Sequence, residues 1–110
     1  MRNTIKKHKD FATDDSAPIV IGRYFIAKAR PTIFPNDARY GLIATKRTFK
    51  LAVDRNRAKR LLRVWIHKNE PMMRPDTDYI FIARRLILDA TKPAGVKKMA
   101  KALKELANSH

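Results

Sequence analysis

A dense run of basic side chains between positions 46 and 68 carries the strongest chemical signal in this sequence. The run holds nine Lys or Arg residues against a single acid, Asp54. Arginine presents a planar fork that can bind a phosphate through two parallel hydrogen bonds, and lysine supplies a flexible point charge. The candidate anion-binding residues are Lys46, Arg47, Lys50, Arg55, Arg57, Lys59, Arg60 and Arg63. Asn56 lies inside this cluster, where it could bond a phosphate, a ribose 2′-hydroxyl or a base edge, or could cap a turn near a helix start.

The same run also carries apolar residues at the spacing of an α-helix. At about 100° per residue they fall in a stripe roughly a third of the circumference wide, and the basic side chains lie opposite and on its flanks. The stripe consists of Ala58, Leu61, Leu62, Trp65 and Ile66. Neighbouring like charges repel by a few tenths of a kcal/mol per pair, so a merely solvated charged face would usually carry acidic partners. We therefore predict a helix over 52–69 that buries one face and presents the other to a polyanion.

The residues outside this helix give a mixed α/β pattern. Runs rich in β-branched and aromatic residues predict strands, and Pro and Asn mark the loops between them. The predicted elements are a short helix or turn at 10–16, strands at 18–29, 39–46 and 78–84, and a last helix that begins near Pro93. The apolar face of the last helix is formed by Val96, Met99, Ala100, Leu103 and Leu106. One sheet with helices packed on it is the economical architecture for this order.

Composition limits the class of protein independently of any motif. A chain of 110 residues with 45% hydrophobic residues is one domain with a modest core, and its net charge of +15 implies a polyanionic partner. The chain has no cysteine, which excludes disulfides, Cys-ligated zinc and a thiol nucleophile. The N-terminal residues lack the apolar core of a secretory signal, and no apolar run approaches the roughly 20 residues of a membrane span. We therefore expect a cytoplasmic protein that does not enter a membrane.

The sequence offers few candidate catalytic residues. The three histidines are His8, His67 and His110, and no metal-binding HExxH, Gly-rich phosphate loop or nucleophile motif is present. Asp76 and Asp78 could be read as a metal pair, but acids just before a strand are more often turn formers. We expect no catalytic residue in the protein.

Three segments resemble motifs of one family. The string AVDRNRAKRLLR, Ala52 to Arg63, resembles the RNR motif of the bacterial ribonuclease P protein component, which runs A-V-x-R-N-R-x-K-R-x-x-R. Upstream, Gly41 to Arg47 is similar to the family's strand that ends in a Ser-Lys-Lys turn. Downstream, Asp78 to Arg84 is similar to its D-[FY]-hydrophobic-A-[RK] strand. The order and spacing of all three fit, over about half of the chain.

The resemblance implies a fold as well as a family. It predicts a single small α+β domain over 1–110, with residues 1–9 as a mobile basic tail. The implied order is α-β-β-β-α-β-α, with a mixed sheet packed by helices. The family is known for a left-handed βαβ crossover at the basic helix, similar to ribosomal protein S5 domain 2. That handedness follows from the resemblance alone.

The resemblance also implies a role in tRNA maturation. The family's members are protein subunits of ribonuclease P, an endoribonuclease ribonucleoprotein that removes the 5′ leader of precursor tRNA by hydrolysis. The RNA subunit carries the catalysis with bound Mg²⁺, and the protein alone is not expected to be catalytic. The residues implied to contact the catalytic RNA are Arg55, Asn56, Arg57, Lys59, Arg60 and Arg63, with Lys46, Arg47 and Lys50 extending that surface.

A second set of residues is implied to hold the precursor tRNA leader, in a cleft between the sheet and the first helix. Phe11 is the candidate by motif match, although the second aromatic of the family's first helix is missing here. Tyr24 and Lys28 share one strand face by alternation, so they could line the same groove. For Phe11 and Tyr24, packing in the core is nearly as plausible as stacking on a base.

Two other classes of protein share part of this pattern. A generic nucleic-acid module, such as a ribosomal protein, would share the charge but would not explain the three-part match. An amphipathic helix on an anionic membrane surface would share the basic face. The sequence leaves the oligomeric state open.

Overall fold

Five strands and two helices make up the described part of the chain. A computed structural model describes residues 3–4, 18–32 and 39–108. The strands are β1 (Asn3–Thr4), β2 (Ile19–Ile21), β3 (Phe25–Pro31), β4 (Arg39–Ile43) and β5 (Thr77–Ala83). The helices are α1 (Ala52–Lys68) and α2 (Lys92–Ala107), and short 3₁₀ segments span Glu70–Met72 and Arg85–Asp89.

The strands form one mixed sheet in the order β1-β4-β5-β3-β2. The central strand β5 is parallel to β4 and antiparallel to β3. At the edges, β2 pairs antiparallel with β3, and β1 pairs parallel with β4. Since α1 connects the parallel neighbours β4 and β5, the strand–helix–strand unit predicted from the sequence is present. The α+β class with a mixed sheet is thereby confirmed, and the left-handed sense of the connection stays a prediction.

A buried carboxylate joins three strands at one end of the sheet. The side chain of Asp78 in β5 is fully buried, so its charge must be compensated. The backbone N–H of Arg39 in β4 donates to Asp78 Oδ1 at 2.8 Å, and the Arg39 guanidinium lies 3.4 Å from Oδ2. Arg30 of β3 lies 3.9 Å from the same oxygen. These contacts give Asp78 a structural role between β3, β4 and β5.

Both helices cover the same face of the sheet. Phe25, Ala27 and Ala29 of β3 are buried on that face, as the alternation of a strand requires. The ring of Phe25 lies 6.2 Å from that of Trp65 in α1, and Trp65 is fully buried. On α2 the buried residues are Gly95, Met99, Ala102, Leu103 and Leu106. Among the described residues, the main core therefore lies between this face of the sheet and the two helices.

The N-termini of the two helices differ in their capping interactions. At α2, the side chain of Thr91 accepts a hydrogen bond from the Ala94 N–H at 3.3 Å, and Pro93 occupies the first turn. At α1, the N-cap residue Leu51 has no side chain that can accept such a bond. Helices gain most of their stability from packing, so the buried face of α1 must hold it in place. Within the described residues, neither helix is long and apolar enough to cross a membrane.

The observed boundaries match most of the predicted ones and correct others. The predicted helix 52–69 ends at Lys68, and the predicted strands 39–46 and 78–84 are β4 and β5. The single strand predicted for 18–29 is wrong: β2 and β3 are separated by a turn in which the Gly22 N–H donates to the Phe25 carbonyl at 2.9 Å. The predicted helix at 10–16 and most of the tail at 1–9 lie outside the described residues, although Asn3 and Thr4 pair with β4.

Candidate nucleic-acid interface

The outward face of α1 is cationic and carries no compensating acid. Asn56, Arg57, Arg60 and Arg63 are exposed and Lys59 is half-buried, whereas Ala58, Leu62, Trp65 and Ile66 of the same helix are buried. Within residues 3–4, 18–32 and 39–108, the side chains of the exposed four form no hydrogen bond or salt bridge. Their donors are therefore available to an external anion. We call Arg57, Lys59, Arg60 and Arg63 the α1 basic face.

Arg55 lies beside this face but has a partner within the protein. Its guanidinium donates to the backbone carbonyl of Phe49 at 2.9 Å and to that of Lys50 at 3.1 Å. The bond joins the first turn of α1 to the loop that precedes it. Arginine has five N–H donors, so others remain for an anion. The sequence predicted an anion-binding role for Arg55 and gave no sign of this structural one.

The loop from 44 to 51 is anchored at several points. The Phe49 side chain is buried, and its N–H donates to the Thr45 carbonyl at 2.9 Å. The Thr48 N–H donates to the Thr45 hydroxyl oxygen at 3.2 Å. This anchored turn leaves Lys46, Arg47 and Lys50 exposed at the N-terminal end of α1. The structure therefore brings these three predicted residues next to the α1 basic face, as an extension of it.

Asn56 does not cap the helix, so one of the two alternatives for it is removed. The N-cap position is Leu51, and Asn56 lies within the helix with an exposed side chain. An amide at that place can donate and accept toward a ligand outside the protein.

Two further arginines join this region, and the sequence analysis did not select them. Arg84 and Arg85 are exposed and follow β5 directly. The Arg84 guanidinium donates to the Gly22 carbonyl at 2.8 Å, and the Arg85 guanidinium donates to the Thr48 carbonyl at 3.4 Å. Both basic residues stand at the end of the strand segment that resembles the family motif, which was the available signal. They connect the loop before α1 to the turn between β2 and β3.

The predicted leader groove is only partly within the described residues. Phe11 lies outside them. Lys28 is half-buried on β3 and alternates with the buried Ala27 and Ala29, which places it on the sheet face away from the helices. Within the described ranges, Lys28 shares that face with Arg30.

Tyr24 does not share a face with Lys28, contrary to the predicted alternation. The strand begins one residue later, at Phe25, and Tyr24 lies in the preceding turn. The Tyr24 ring lies 6.0 Å from that of Trp65 and packs against the core. The alternation failed because it assumed one continuous strand from 18 to 29.

On this sheet face Ile80 of β5, which pairs with Lys28, is only 2% exposed, so the face is open only towards the β2 edge, where it offers aliphatic and cationic side chains. Ile19 and Ile21 of β2 are 50% and 67% exposed, and Ile26 of β3 is half-buried. Among the described residues no Phe, Tyr or Trp is classed as exposed. In this part of the groove, a ligand would meet methyl groups and charge rather than an aromatic platform.

Asp76 and Asp78, the two acids considered as a possible metal-binding pair, each interact with other residues of the protein. Asp78 is bonded to Arg39, as described above, and Asp76 lies 3.4 Å from the Arg74 guanidinium and accepts from the Thr77 hydroxyl at 3.0 Å. Across the described ranges, no three His, Cys, Asp or Glu residues come together in a group that could hold a metal ion. Asp76 lies in the turn before β5, as predicted, whereas Asp78 lies within β5 and bonds across the sheet, so the turn-forming interpretation is wrong for Asp78.

Comparison with known proteins gives one consistent family. The Ribonuclease P family profile matches residues 1–107. A "Ribonuclease P protein component" from Shouchella clausii is 40% identical over 81 residues, which is 73% of this chain and 66% of that protein. One from Caulobacter vibrioides is 40% identical over 82 residues, 73% of this chain and 54% of that protein. The matched stretch thus spans between half and two thirds of these relatives' own length.

Solved structures give the same fold. The structure of the Staphylococcus aureus RNase P protein superposes with a TM-score of 0.77 at 26% identity, and covers 94% of this chain and 94% of that one. The RNase P protein from Thermotoga maritima gives a TM-score of 0.68 at 20% identity, with coverage of 81% and 83%. At that lower identity the similarity concerns the fold alone.

Proposed function

This chain belongs to the bacterial ribonuclease P protein family, whose members are subunits of a tRNA-processing ribonucleoprotein, and we propose that it binds the catalytic RNA through α1. In this proposal the complex removes the 5′ leader of precursor tRNA, and the RNA carries the catalysis. The protein contributes positive charge in a fixed arrangement.

The observation that supports this function most strongly is the α1 basic face. Arg57, Arg60 and Arg63 recur every third residue, so they advance along the helix in steps of about 4.5 Å. The buried side of α1 fixes the helix against the sheet, so the backbone that carries the arginines need not be ordered when RNA binds. Side chains on a fixed backbone lose less total conformational entropy on binding than those on a mobile segment, which favours a rigid helix over a basic tail.

The proposed mechanism is neutralisation of RNA phosphates. Each phosphate that a Lys or Arg side chain neutralises releases condensed counterions, and this release drives binding. RNA strands whose phosphates are neutralised repel each other less. The RNA should therefore fold at a lower Mg²⁺ concentration. The forks of Arg57 and Arg60 would each grip a phosphate through two hydrogen bonds, and Asn56 would bond a neighbouring ribose or base edge.

The Mg²⁺ ions are assigned to the RNA. The described carboxylates Asp76 and Asp78 are paired with arginines, so they do not suit a hard cation. When bound to the RNA, Mg²⁺ would supply the charge stabilisation that hydrolysis of a phosphodiester by water requires. The protein residues act on the RNA's shape and charge.

For the leader we propose the part of the sheet face away from the helices that is open, near the β2 edge. Lys28 would bind a leader phosphate, and the neighbouring isoleucines would contact the sugars and bases. Phe11 is assigned to this groove by its motif match alone. Tyr24 would contribute indirectly. Its ring packs against Trp65 and would thereby fix the position of the turn before β3.

A membrane surface is a poorer ligand for α1. Such a helix binds by burying its apolar face in the lipid. Here that face is already buried within the protein, with Ala58, Leu62 and Trp65 fully inaccessible. Only the charged side remains outside, and it suits a polyanion with phosphates in fixed positions.

Reconstitution tests the proposal directly. The purified protein is mixed with the catalytic RNA of its own source and with precursor tRNA at low Mg²⁺, and release of the 5′ leader is followed. We expect strong stimulation over the RNA without protein, and no cleavage by the protein alone. Salt-sensitive binding to many nucleic acids without stimulation would instead indicate a generic nucleic-acid module.

A further inference from the structure

A second group of basic residues surrounds a cleft between the β2–β3 turn and α2. The cleft has a volume of about 190 Å³. Its charged lining consists of Arg23, Lys98 and Lys101 with one acid, Glu105, so three positive charges face one negative charge. None of these residues lies on α1, and the function proposed above does not use them.

The three cations converge from elements far apart in the sequence. Arg23 comes from the turn, and the two lysines come from the exposed side of α2. Within the described residues, the salt bridges involve Arg30, Arg39, His67 and Arg74, and none involves the three cations of the cleft. Like charges brought together without partners cost stability, which favours a role in binding an anion.

The turn that carries Arg23 is held from two sides. The Gly22 N–H donates to the Phe25 carbonyl at 2.9 Å, and the Gly22 carbonyl accepts from the Arg84 guanidinium at 2.8 Å. The Arg84 N–H donates to the Tyr24 carbonyl at 2.9 Å. The backbone at Arg23 is therefore fixed, and the position of the Arg23 side chain does not depend on a flexible loop.

The cleft is joined to the loop before α1 by a line of basic residues. Arg85 contacts the carbonyl of Thr48 in that loop, and its neighbour Arg84 contacts Gly22, which adjoins Arg23. Within the described residues, the hydrogen bonds of Arg84 and Arg85 thus link the loop, the end of β5 and the turn that carries Arg23. A single polyanion could follow this course.

The lining also indicates the chemistry of the ligand. Apolar walls from Val20, Phe25 and Ala102 lower the local dielectric constant and strengthen attraction to an anion. Phe25 is only 2% exposed, so no aromatic ring is free to stack on a base. The net charge of +15 on each chain opposes a second copy as the occupant. A sugar–phosphate backbone, bound without regard to base sequence, fits these features.

We propose that this cleft binds a phosphodiester segment of RNA, as a second RNA-binding site separate from the α1 basic face. The proposal rests on the proposed function, because the segment is taken to belong to the catalytic RNA. Arg23 supplies a forked contact to one phosphate, and Lys98 and Lys101 supply point charges to its neighbours.

The test compares two pairs of lysines on the same helix. Lys98→Gln with Lys101→Gln removes two charges from the cleft. Lys97→Gln with Lys104→Gln removes two exposed charges from α2 that do not line it. Binding to the catalytic RNA is measured over a range of KCl concentrations. Because each lost phosphate contact lowers the salt slope by about 0.7–0.9, we expect the cleft pair to lower it by roughly 1.5 and the control pair by less than half as much.

The outcomes separate this inference from the function on which it rests. Equal changes in slope for the two pairs, with wild-type protein still stimulating leader removal, would overturn the cleft site and leave the proposed function intact. If wild-type protein neither binds the catalytic RNA nor stimulates cleavage, both fail. Exposed Lys→Gln changes should alter folding stability by less than about 0.5 kcal/mol, which urea unfolding of each variant checks.

A second experiment locates the bound RNA on the protein surface. The chain has no cysteine, so Glu105→Cys, at an exposed position that lines the cleft and is given no contact with the leader, introduces a single attachment point for a reagent that cleaves nearby RNA. We expect cleavage of bound RNA at a small set of adjacent nucleotides, weakened by Lys98→Gln with Lys101→Gln. Absence of localised cleavage in a complex that is otherwise active would count against the site.

Discussion

Gly95 of α2 lies against the indole ring of Trp65 of α1, so closely that a Cβ atom at position 95 would overlap the ring. Helix interiors normally disfavour glycine by about 1 kcal/mol relative to alanine. Here the missing side chain lets the two helices approach over the largest buried residue of the core.

Gly95→Ala should therefore destabilise the protein although it improves helix propensity. Overpacking a filled core costs about 1–3 kcal/mol, and the overlap with the indole places this site in the upper part of that range, so after a propensity gain of about 1 kcal/mol we expect a net loss of about 1–2 kcal/mol. Urea unfolding measures it. The same change in a Trp65→Phe background should cost less, because the smaller ring leaves room for the methyl group. An equal cost in both backgrounds would show that the indole contact is not the cause.

Charge reversal on the α1 basic face should impair leader removal at low Mg²⁺. For Arg57→Glu with Arg60→Glu we expect at least a tenfold loss, because each lost charged contact contributes about 1.5 kcal/mol or more. High Mg²⁺ should restore activity, since free cations then screen the RNA. Lys97→Glu with Lys104→Glu, on α2, makes the same change in net charge and should have a smaller effect. Processing that survives the reversal of Arg57 and Arg60 unchanged would refute the role given to α1.

Neighbouring arginines on α1 should differ in their effect on folding. Arg55→Gln removes the two hydrogen bonds to the loop carbonyls and should lower the free energy of unfolding by about 1 kcal/mol, after allowance for partial exposure. Arg57→Gln removes no contact among the described residues and should change it by less than about 0.5 kcal/mol. Chemical denaturation of both variants provides the comparison. Equal effects would mean that the Arg55 contacts do not stabilise the loop.

Reversal of Lys28 should reduce discrimination between precursor and mature tRNA. Lys28→Glu would remove the proposed leader contact, which mature tRNA cannot make, so the ratio of the two affinities should fall by about tenfold. The measurement is binding of each tRNA to the reconstituted ribonucleoprotein. Lys92→Glu, at an exposed position on α2, should leave the ratio unchanged. If both affinities fall together with Lys28→Glu, the residue binds some other part of the RNA.

The sequence predicted those elements whose pattern is periodic and long. The helix over 52–69 was found almost to the residue because its apolar stripe, Ala58 to Ile66, repeats through about two and a half turns beside a continuous basic run, and β5 was found because its run is bounded by turn residues. The turn within 18–29 was missed because Gly22 and Arg23 make only a short break between two apolar runs. Tyr24 was misplaced as a consequence.

The contacts that the sequence could not supply are those between distant segments. Arg55 and Arg57 look equivalent in a helical projection, yet only Arg55 reaches the carbonyls of the preceding loop. Arg84 and Arg85 became part of the basic surface only when the sheet placed the end of β5 next to Gly22 and Thr48. Such pairings depend on the tertiary arrangement, and no local pattern encodes them.

Trp65 is the only tryptophan in the chain, and it is buried between the helix layer and the sheet on the side of α1 turned away from the basic face. Its emission should therefore report whether the helices are docked and should respond little to a ligand on the outer surface. A variant that loses RNA binding with unchanged emission has lost a contact, and one with red-shifted emission has lost its fold. The protein thus contains its own optical probe for separating the two kinds of defect.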